Sequence, residues 1–540
     1  MPTVRLWISG LAALAVPALA AQNAWVGPQP PCDVKSSSHF QVSTASLNLK
    51  IATENPTQRE RMLKQTLDVL TRAIVQNKQD KNPAAWYYFG RYYVEMGDAA
   101  GADSTFHKVE ALAPQCAADI RAYRQRVWSA VLNDGLRAWQ ENKNDSAVAL
   151  LHVALRVLPD NPDASFRLGD LYAGQNQVDS AAVYVRQGIE RAGRDTAWAA
   201  RRRDGLSTLA RLYQAKAEQD PAVQNWERTR AARDSVNRAL AADSGVLARV
   251  LASAAQRRAR GARLAPADEA SFRHDSSSRA QAVEAGRAGR AALAPRVAAD
   301  SAAVQGAFAP AIAAYRDLAT AYPQPADAAA GLANVYAESG RNAEAAGFFD
   351  SLYTSAAVAP GAVIDAGRRI LATGLLVAGT RVLSRGLNQS PVGRDAWYDL
   401  ALGYYRLGDS ARTLPAAQRL VALDPMNRAS LRLLGAAWEL KGRRDSVAKY
   451  MAVVATGLGV EVSVTSFVPD SAGAVLSLTA ANLRTTPSTP LRLQVEFLDA
   501  KGAVLSAQTA DIPAIPPGQS QQAELHAAAK GVVGWRYRAL

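Results

Sequence analysis

Residues 83–116 read PAAWYYFGRYYVEMGDAAGADSTFHKVEALAPQC. Trp86, Phe89, Gly90 and Tyr93 fall at i, i+3, i+4 and i+7, which is one face of a helix. Ala102, Phe106 and Val109 fall at i, i+4 and i+7 and mark the face of a second helix. Gly90 and Ala102 are small where the two helices have to approach. Met96-Gly97-Asp98 supplies the break between them. Pro114 stops the second helix, because its ring and missing N–H cannot continue the ladder. One such pair leaves its apolar face uncovered, so similar pairs have to stack.

The same pattern recurs along the chain. A unit beginning at Trp128 carries Val131, Gly135, Ala147, Leu151, Ala154 and Pro159. The next starts one period later at Pro162, with Leu168, Gly169, Tyr172 and Ala181. A second block has starts at Ala292, Ala326, Pro360, Arg394 and Arg428, all at one constant spacing. Its clearest member holds Trp397, Leu400, Ala401, Tyr404, Leu420 and Pro425. The unit at Ala326 holds Leu332, Ala333, Tyr336, Ala345 and Phe349, and the weaker one at Pro360 keeps Gly367, Leu383 and Pro391.

On these residues and this period the chain resembles the tetratricopeptide repeat, a helix–turn–helix unit of about 34 residues. The resemblance implies a mainly α chain, a stack of helical hairpins. It also implies binding of protein segments on the inward-facing positions of each first helix. Carried onto this sequence, those positions are Tyr87, Arg91 and Glu95 in the first unit, Trp139 in the second, and Phe166 and Asp170 in the third. In the second block they are Asn334, Arg368, Tyr398, Tyr405, Arg406, Arg432 and Glu439. Aromatics beside arginine suit a partner surface, because they desolvate a large area and still offer polar handles.

Toward the C-terminus the period changes. Val460, Val462 and Val464 alternate, as do Leu476 and Leu478, then Leu491, Leu493, Val495 and Phe497. Asp499-Ala500-Lys501-Gly502 and Pro516-Pro517-Gly518 read as turns. Six or seven short strands predict a small β-sandwich over 457–540. The run Leu493–Gly502 followed by Pro-Pro-Gly resembles immunoglobulin-like accessory domains of the FxLYD type found in bacterial envelope proteins. An unrelated sandwich satisfies the same pattern.

At the other end, Arg5 precedes an apolar run from Leu6 to Ala21 that closes on Ala18-Leu19-Ala20. This reads as a signal peptide over 1–20, with the mature chain starting near Ala21. A run this short, interrupted by Pro17, cannot span a bilayer. No later stretch reads as transmembrane. Export to a periplasmic or extracellular compartment, in a bacterium judging by the Ala- and Arg-rich composition, follows as an expectation. In such a compartment Cys32 and Cys116, the two cysteines of the chain, are an even pair available for a disulfide. The bridge would pin an N-terminal strap (21–56) to the first repeat; two free thiols are the other reading.

The organisation expected is then a first repeat block at 57–195, a basic helical segment with irregular repeats at 196–291, and a second block at 292–456. The formal charge of +14 concentrates in residues 186–300, with 22 Lys and Arg against 13 Asp and Glu. Candidate helices there lie near Ala222–Ala242 and Ala280–Ala299, with a flexible loop at Ala265–Ser278. Helical arginines usually form a solvated face with acidic partners one turn away. Attraction to an anionic envelope polymer or lipid headgroup is the sharper alternative. Nucleic acid is disfavoured by export and by the lack of aromatic-interleaved basic motifs.

Motifs that carry catalysis are missing. The five histidines, His39, His107, His152, His274 and His526, show no HExxH spacing. No GxSxG elbow or GxxxxGK[ST] loop occurs. The expectation is a non-catalytic scaffold with no metal and no cofactor. Its partner is a peptide or helix segment of another protein.

Overall fold

The computed structural model describes residues 25–260, 266–324, 326–355 and 357–540. The expected signal peptide and cleavage site lie outside these. Two compact units divide at Trp198/Ala199.

The first unit is eight helices: α1 (Phe40–Glu54), α2 (Arg59–Val75), α3 (Pro83–Met96), α4 (Ala99–Leu112), α5 (Ala117–Gln140), α6 (Asn144–Val157), α7 (Asp163–Gly174) and α8 (Val178–Ala192). Successive helices pair as hairpins, α1 with α2 through to α7 with α8. In α3, Asn82 caps the N-terminus by accepting from the Ala84 N–H, with Pro83 at the first helical position. Gly97 (φ 72°) ends it in the left-handed region. A Cβ on Gly90 would lie 2.4 Å from the Phe106 ring, so the close approach of α3 and α4 needs glycine there.

Trp128 stands 11 residues beyond one 34-residue period from Pro83 (128 against 117), and this excess is absorbed as helix, since α5 runs unbroken from Ala117 to Gln140. That excess is about three turns at roughly 3.6 residues per turn, so the inward face keeps its phase. Cys32 and Cys116 are bridged, across 84 residues.

The second unit begins with α9 (Ala199–Glu218), α10 (Pro221–Ala259) and α11 (Pro266–Ala321). Two expectations need correction here. Pro266–Ser278 is helical, not a loop: α10 and α11 pack antiparallel, with Arg279 paired to Asp243 at 2.9 Å and Leu240 against Gly286. That contact overrides the local turn signal of Asp275-Ser276-Ser277-Ser278. Ala292 also does not begin a hairpin, because it lies inside α11, whose end packs on α9 and buries Val304, Phe308, Ile312 and Leu318. One 18-residue window of α11 has a mean hydropathy of 1.2, enough by length and composition to cross a bilayer, contrary to the sequence reading. Core helices pass the same test, and α11 carries Asp300, which accepts from the Thr229 hydroxyl at 2.5 Å.

From Ala326 the repeat is regular. First helices α12 (Ala326–Ser339), α14 (Pro360–Ala372), α16 (Arg394–Arg406) and α18 (Arg428–Leu440) alternate with second helices α13 (Asn342–Ser355), α15 (Leu376–Gln389), α17 (Ser410–Leu423) and α19 (Arg444–Ala452). The four hairpin turns contain Gly340, Gly374, Gly408 and Gly442, all at φ between 68° and 87°. In the first unit Asn142 and Asn176, both at φ 59°, hold the corresponding turns.

Six strands follow: β1 (Val460–Pro469), β2 (Ala474–Asn482), β3 (Leu491–Leu498), β4 (Val504–Ile512), β5 (Ser520–Ala527) and β6 (Gly534–Ala539). They form two antiparallel three-stranded sheets, β1-β2-β5 and β4-β3-β6. Val462, Leu476, Leu478, Leu493, Val495 and Phe497 fill the core between them. The fold is therefore a mainly α stack of helical hairpins followed by a small β-sandwich.

The sandwich is fastened to the last repeats. The Tyr537 hydroxyl donates to Asp424 Oδ1 at 2.7 Å and accepts from the Met426 N–H at 3.2 Å. The Val462 N–H donates to the Met426 carbonyl at 3.0 Å. Arg428 pairs with Glu461 at 2.9 Å, and Val392, Leu423 and Leu498 close an apolar seam. Burial raises the Asp424 carboxyl above its ordinary range, against the opposing pull of Tyr537, Arg394 and Ser430.

Candidate partner-binding surfaces

In the first unit, α3 aims Tyr87, Arg91 and Glu95 along its inward face. Tyr87 is fully buried and its hydroxyl donates to Asp119 Oδ2 on α5 at 2.6 Å. Desolvation by burial raises its pKa far above the usual tyrosine value. The Arg91 guanidinium lies 3.6 Å from the Trp25 ring centroid and 4.7 Å from that of Tyr123. Its Nη1 donates to the Val26 carbonyl at 2.6 Å. Trp25 also stacks on Tyr88, with centroids 6.5 Å apart. Glu95 accepts from Arg59 at 2.7 Å and from Arg126 at 3.3 Å.

Tyr87, Arg91 and Glu95 are thus all engaged within the chain. The chain's own N-terminal strap, held by the Cys32–Cys116 bridge, covers Arg91, and neighbouring helices engage the other two. Phe166 is also buried, because Gly188 leaves space for its ring: a Cβ there would lie 2.6 Å from it. Trp139 is half-buried against the unit's core, and Asp170 is half-exposed.

The second unit presents its first helices differently. Arg368 on α14 is exposed and donates to Asp399 on α16 at 2.6 Å. Tyr398 is half-buried, its ring centroid 5.5 Å from the Arg394 guanidinium. Arg394 in turn donates to the buried Asp424 at 2.8 Å. Tyr405 is half-buried, while Asn334, Arg406, Arg432 and Glu439 are exposed. Asn334, Arg368, Arg406, Arg432 and Glu439 thus stay exposed, where Tyr87, Arg91 and Phe166 do not.

A cleft of about 410 Å³ lies where these first helices meet the sandwich. Arg368, Arg394 and Asp395 form its helical wall, and Thr465, Phe467 and Trp535 form its β wall. The β residues were not expected from sequence. Their signal is the break in the alternation of β1, where the register shifts between Val464 and Ser466. Among the described residues, no group of three or more His, Cys, Asp or Glu side chains is arranged to hold a metal.

Family models described as "Tetratricopeptide repeat" match residues 138–203, and residues 296–360 and 384–446. Over those residues the chain matches tetratricopeptide repeats. No curated protein matches the chain. Among solved structures, "Crystal structure of MamA" is 24% identical, covers 29% of this chain and 91% of its own, with a TM-score of 0.21. The P58(IPK) TPR domain is 10% identical, covers 75% of this chain and 99% of its own, with a TM-score of 0.15.

Proposed function

We propose that this protein is a non-catalytic scaffold that holds a peptide or helix segment of another protein against the first helices of its second unit. The observation that carries this reading is the contrast between the two inward faces. In the first unit Tyr87, Phe166 and Arg91 are consumed internally, with Arg91 under Trp25. In the second unit Arg406 and Arg432 are exposed and Tyr405 is half-buried, and a separate cleft is walled by Arg368 and Trp535. Aromatic and arginine side chains of this kind supply most of the energy at protein interfaces. The setting we propose is the bacterial envelope, on the strength of the N-terminal sequence and of a disulfide that persists only in an oxidising compartment. The FxLYD-like kinship of the sandwich belongs to the same proposal.

The test is affinity capture from envelope extract with the wild type and with Tyr398→Ala/Tyr405→Ala, helical content being checked by circular dichroism. A folded variant that loses specific partners supports the reading. Retention of every wild-type partner defeats it.

The basic segment supports a second reading, attraction to an anionic polymer. Against it, many of its arginines are already paired along or across the hairpin, including Arg273 with Glu269, Arg287 with Glu284 and Arg279 with Asp243. Steep loss of envelope-polymer binding with salt would favour it over the cleft.

A further inference from the structure

A second cavity in the same repeats lies between second helices. It measures about 850 Å³ and is open to solvent. Four arginines line it: Arg381 and Arg385 on α15, and Arg412 and Arg419 on α17. One carboxylate, Asp350 on α13, faces them and is engaged by Arg385 at 3.1 Å. Arg412 is held by Asp409 at 3.5 Å, its guanidinium 5.8 Å from the Tyr404 ring centroid. Arg381 and Arg419 are exposed and make no ion pair or side-chain hydrogen bond among the described residues.

Two features of this arrangement point to a ligand. Arg381 and Arg385 stand at i, i+4 on one helix, a like-charge spacing that weakens a helix. Arg419 repeats the position of Arg385 in the next hairpin, one repeat period on. The cavity thus gathers positive charge at a local cost and leaves two guanidinium forks without a protein partner among the described residues. Such forks match carboxylates bidentately. The rest of the wall is suited to a polypeptide. Asn388 and Gln389 carry amides that can both donate to and accept from a peptide backbone. Pro391, Trp397 and Pro415 supply apolar surface beside them.

We propose that this cavity binds an acidic peptide segment. Arg381 and Arg419 take two Asp or Glu side chains, and Arg385 and Arg412, held by Asp350 and Asp409, set the field. The site shares no partner-facing residue with the first-helix cleft and does not rest on it.

The test uses the full chain and fluorescence anisotropy with a labelled peptide of alternating Asp and Glu, its Asn/Gln isostere, and inorganic polyphosphate. The acidic peptide is expected to bind, to weaken as KCl rises, and to outcompete the isostere. Arg381→Gln/Arg419→Gln should weaken it at least about tenfold, the loss of two charge-assisted pairs each screened by solvent. Arg419→Gln alone should give a smaller loss, and Tyr398→Ala/Tyr405→Ala should bind as wild type. Circular dichroism verifies that the variants remain folded. The proposal is overturned if the arginine variants bind the peptide as wild type does or the isostere binds equally. It is overturned too if polyphosphate binds and the acidic peptide does not, or if no acidic peptide binds at all.

Discussion

Replacing Tyr537 by Phe removes a single oxygen from the joint between the repeats and the sandwich. The Asp424 side chain is only 2% exposed, and the Tyr537 hydroxyl is one of three side-chain donors that satisfy it, with Arg394 and Ser430. The same hydroxyl is the acceptor for the Met426 N–H. A hydrogen bond to a charged group is worth about 1.5–3 kcal/mol, and a buried donor left without a partner costs about 1–3 kcal/mol. Arg394 and Ser430 remain to hold Asp424, so the two terms do not add in full. The expected loss is roughly 2–4 kcal/mol, with no cavity larger than the hydroxyl to blur the reading.

Chemical denaturation gives the size of the effect, and hydrogen exchange gives its place. Faster exchange should appear in β1, β6 and the α17–α18 connection, while the first unit is unchanged, since hairpin stacks couple mainly to nearest neighbours. Asp424→Asn combined with Tyr537→Phe should cost less than the sum of the single changes, because the two groups share one bond. A Tyr537→Phe protein within about 0.5 kcal/mol of wild type, with unaltered exchange at the joint, would show that the apolar seam alone fastens the sandwich.

Cys116→Ser should destabilise the first unit by at most about 4–5 kcal/mol, the chain-entropy value for a bridge spanning 84 residues, read as an earlier unfolding step in that unit. The same change should raise protease cleavage in the strap ahead of α1 and expose Arg91; equal protection with and without the bridge would refute this. Gly367→Ala places a Cβ 2.6 Å from the Leu383 backbone nitrogen, so α14 and α15 must separate. Overpacking of this kind costs about 1–3 kcal/mol, outweighing the gain of about 1 kcal/mol that alanine normally brings to a helix; a raised melting temperature would contradict the packing. Gly408→Ala should cost about 1–2 kcal/mol for a left-handed residue at φ 69°, and Gly408→Asn less, as Asn142 and Asn176 already occupy such turns. Thermal melts of the three proteins check that order.

The regular repeats were legible because their signals are local. Ala326, Pro360, Arg394 and Arg428 begin helices as their constant spacing implied, and each hairpin closes on a glycine whose backbone few other residues adopt. The alternation from Val460 onward marked the strands equally well, because a half-buried strand needs period two. The long α10–α11 hairpin was harder. Asp275-Ser276-Ser277-Ser278 carries a turn signal within one short run, yet the partner that overrules it lies far back in the preceding helix, with Arg279 on Asp243. Propensity summed over a short window has no access to that contact.

The candidate surfaces show the same division more sharply. Position within a repeat gave the side chains expected to turn inward; of these Tyr87 and Arg91 are buried and Tyr398 is half-buried. Whether an inward side chain is free depends on what crosses it, and in the first unit that is Trp25 and Val26, the latter 65 residues upstream of Arg91. The disulfide makes this crossing persistent, because it fixes Cys32 against the start of α5 and shortens the free strap to a few residues. The bridge foreseen as a staple for stability thus also holds the strap over Arg91. By that reasoning, reduction should act on binding as well as on folding. Reduced protein, or Cys116→Ser, should gain a second inward surface around Arg91 and Tyr123, with Trp25→Ala reproducing the gain while the bridge is intact. Titration of a captured partner against the three proteins, with Arg91→Ala in each background, decides it. Extra binding that survives Arg91→Ala would place the gained surface elsewhere, and the absence of any gain would show that the strap is structural alone.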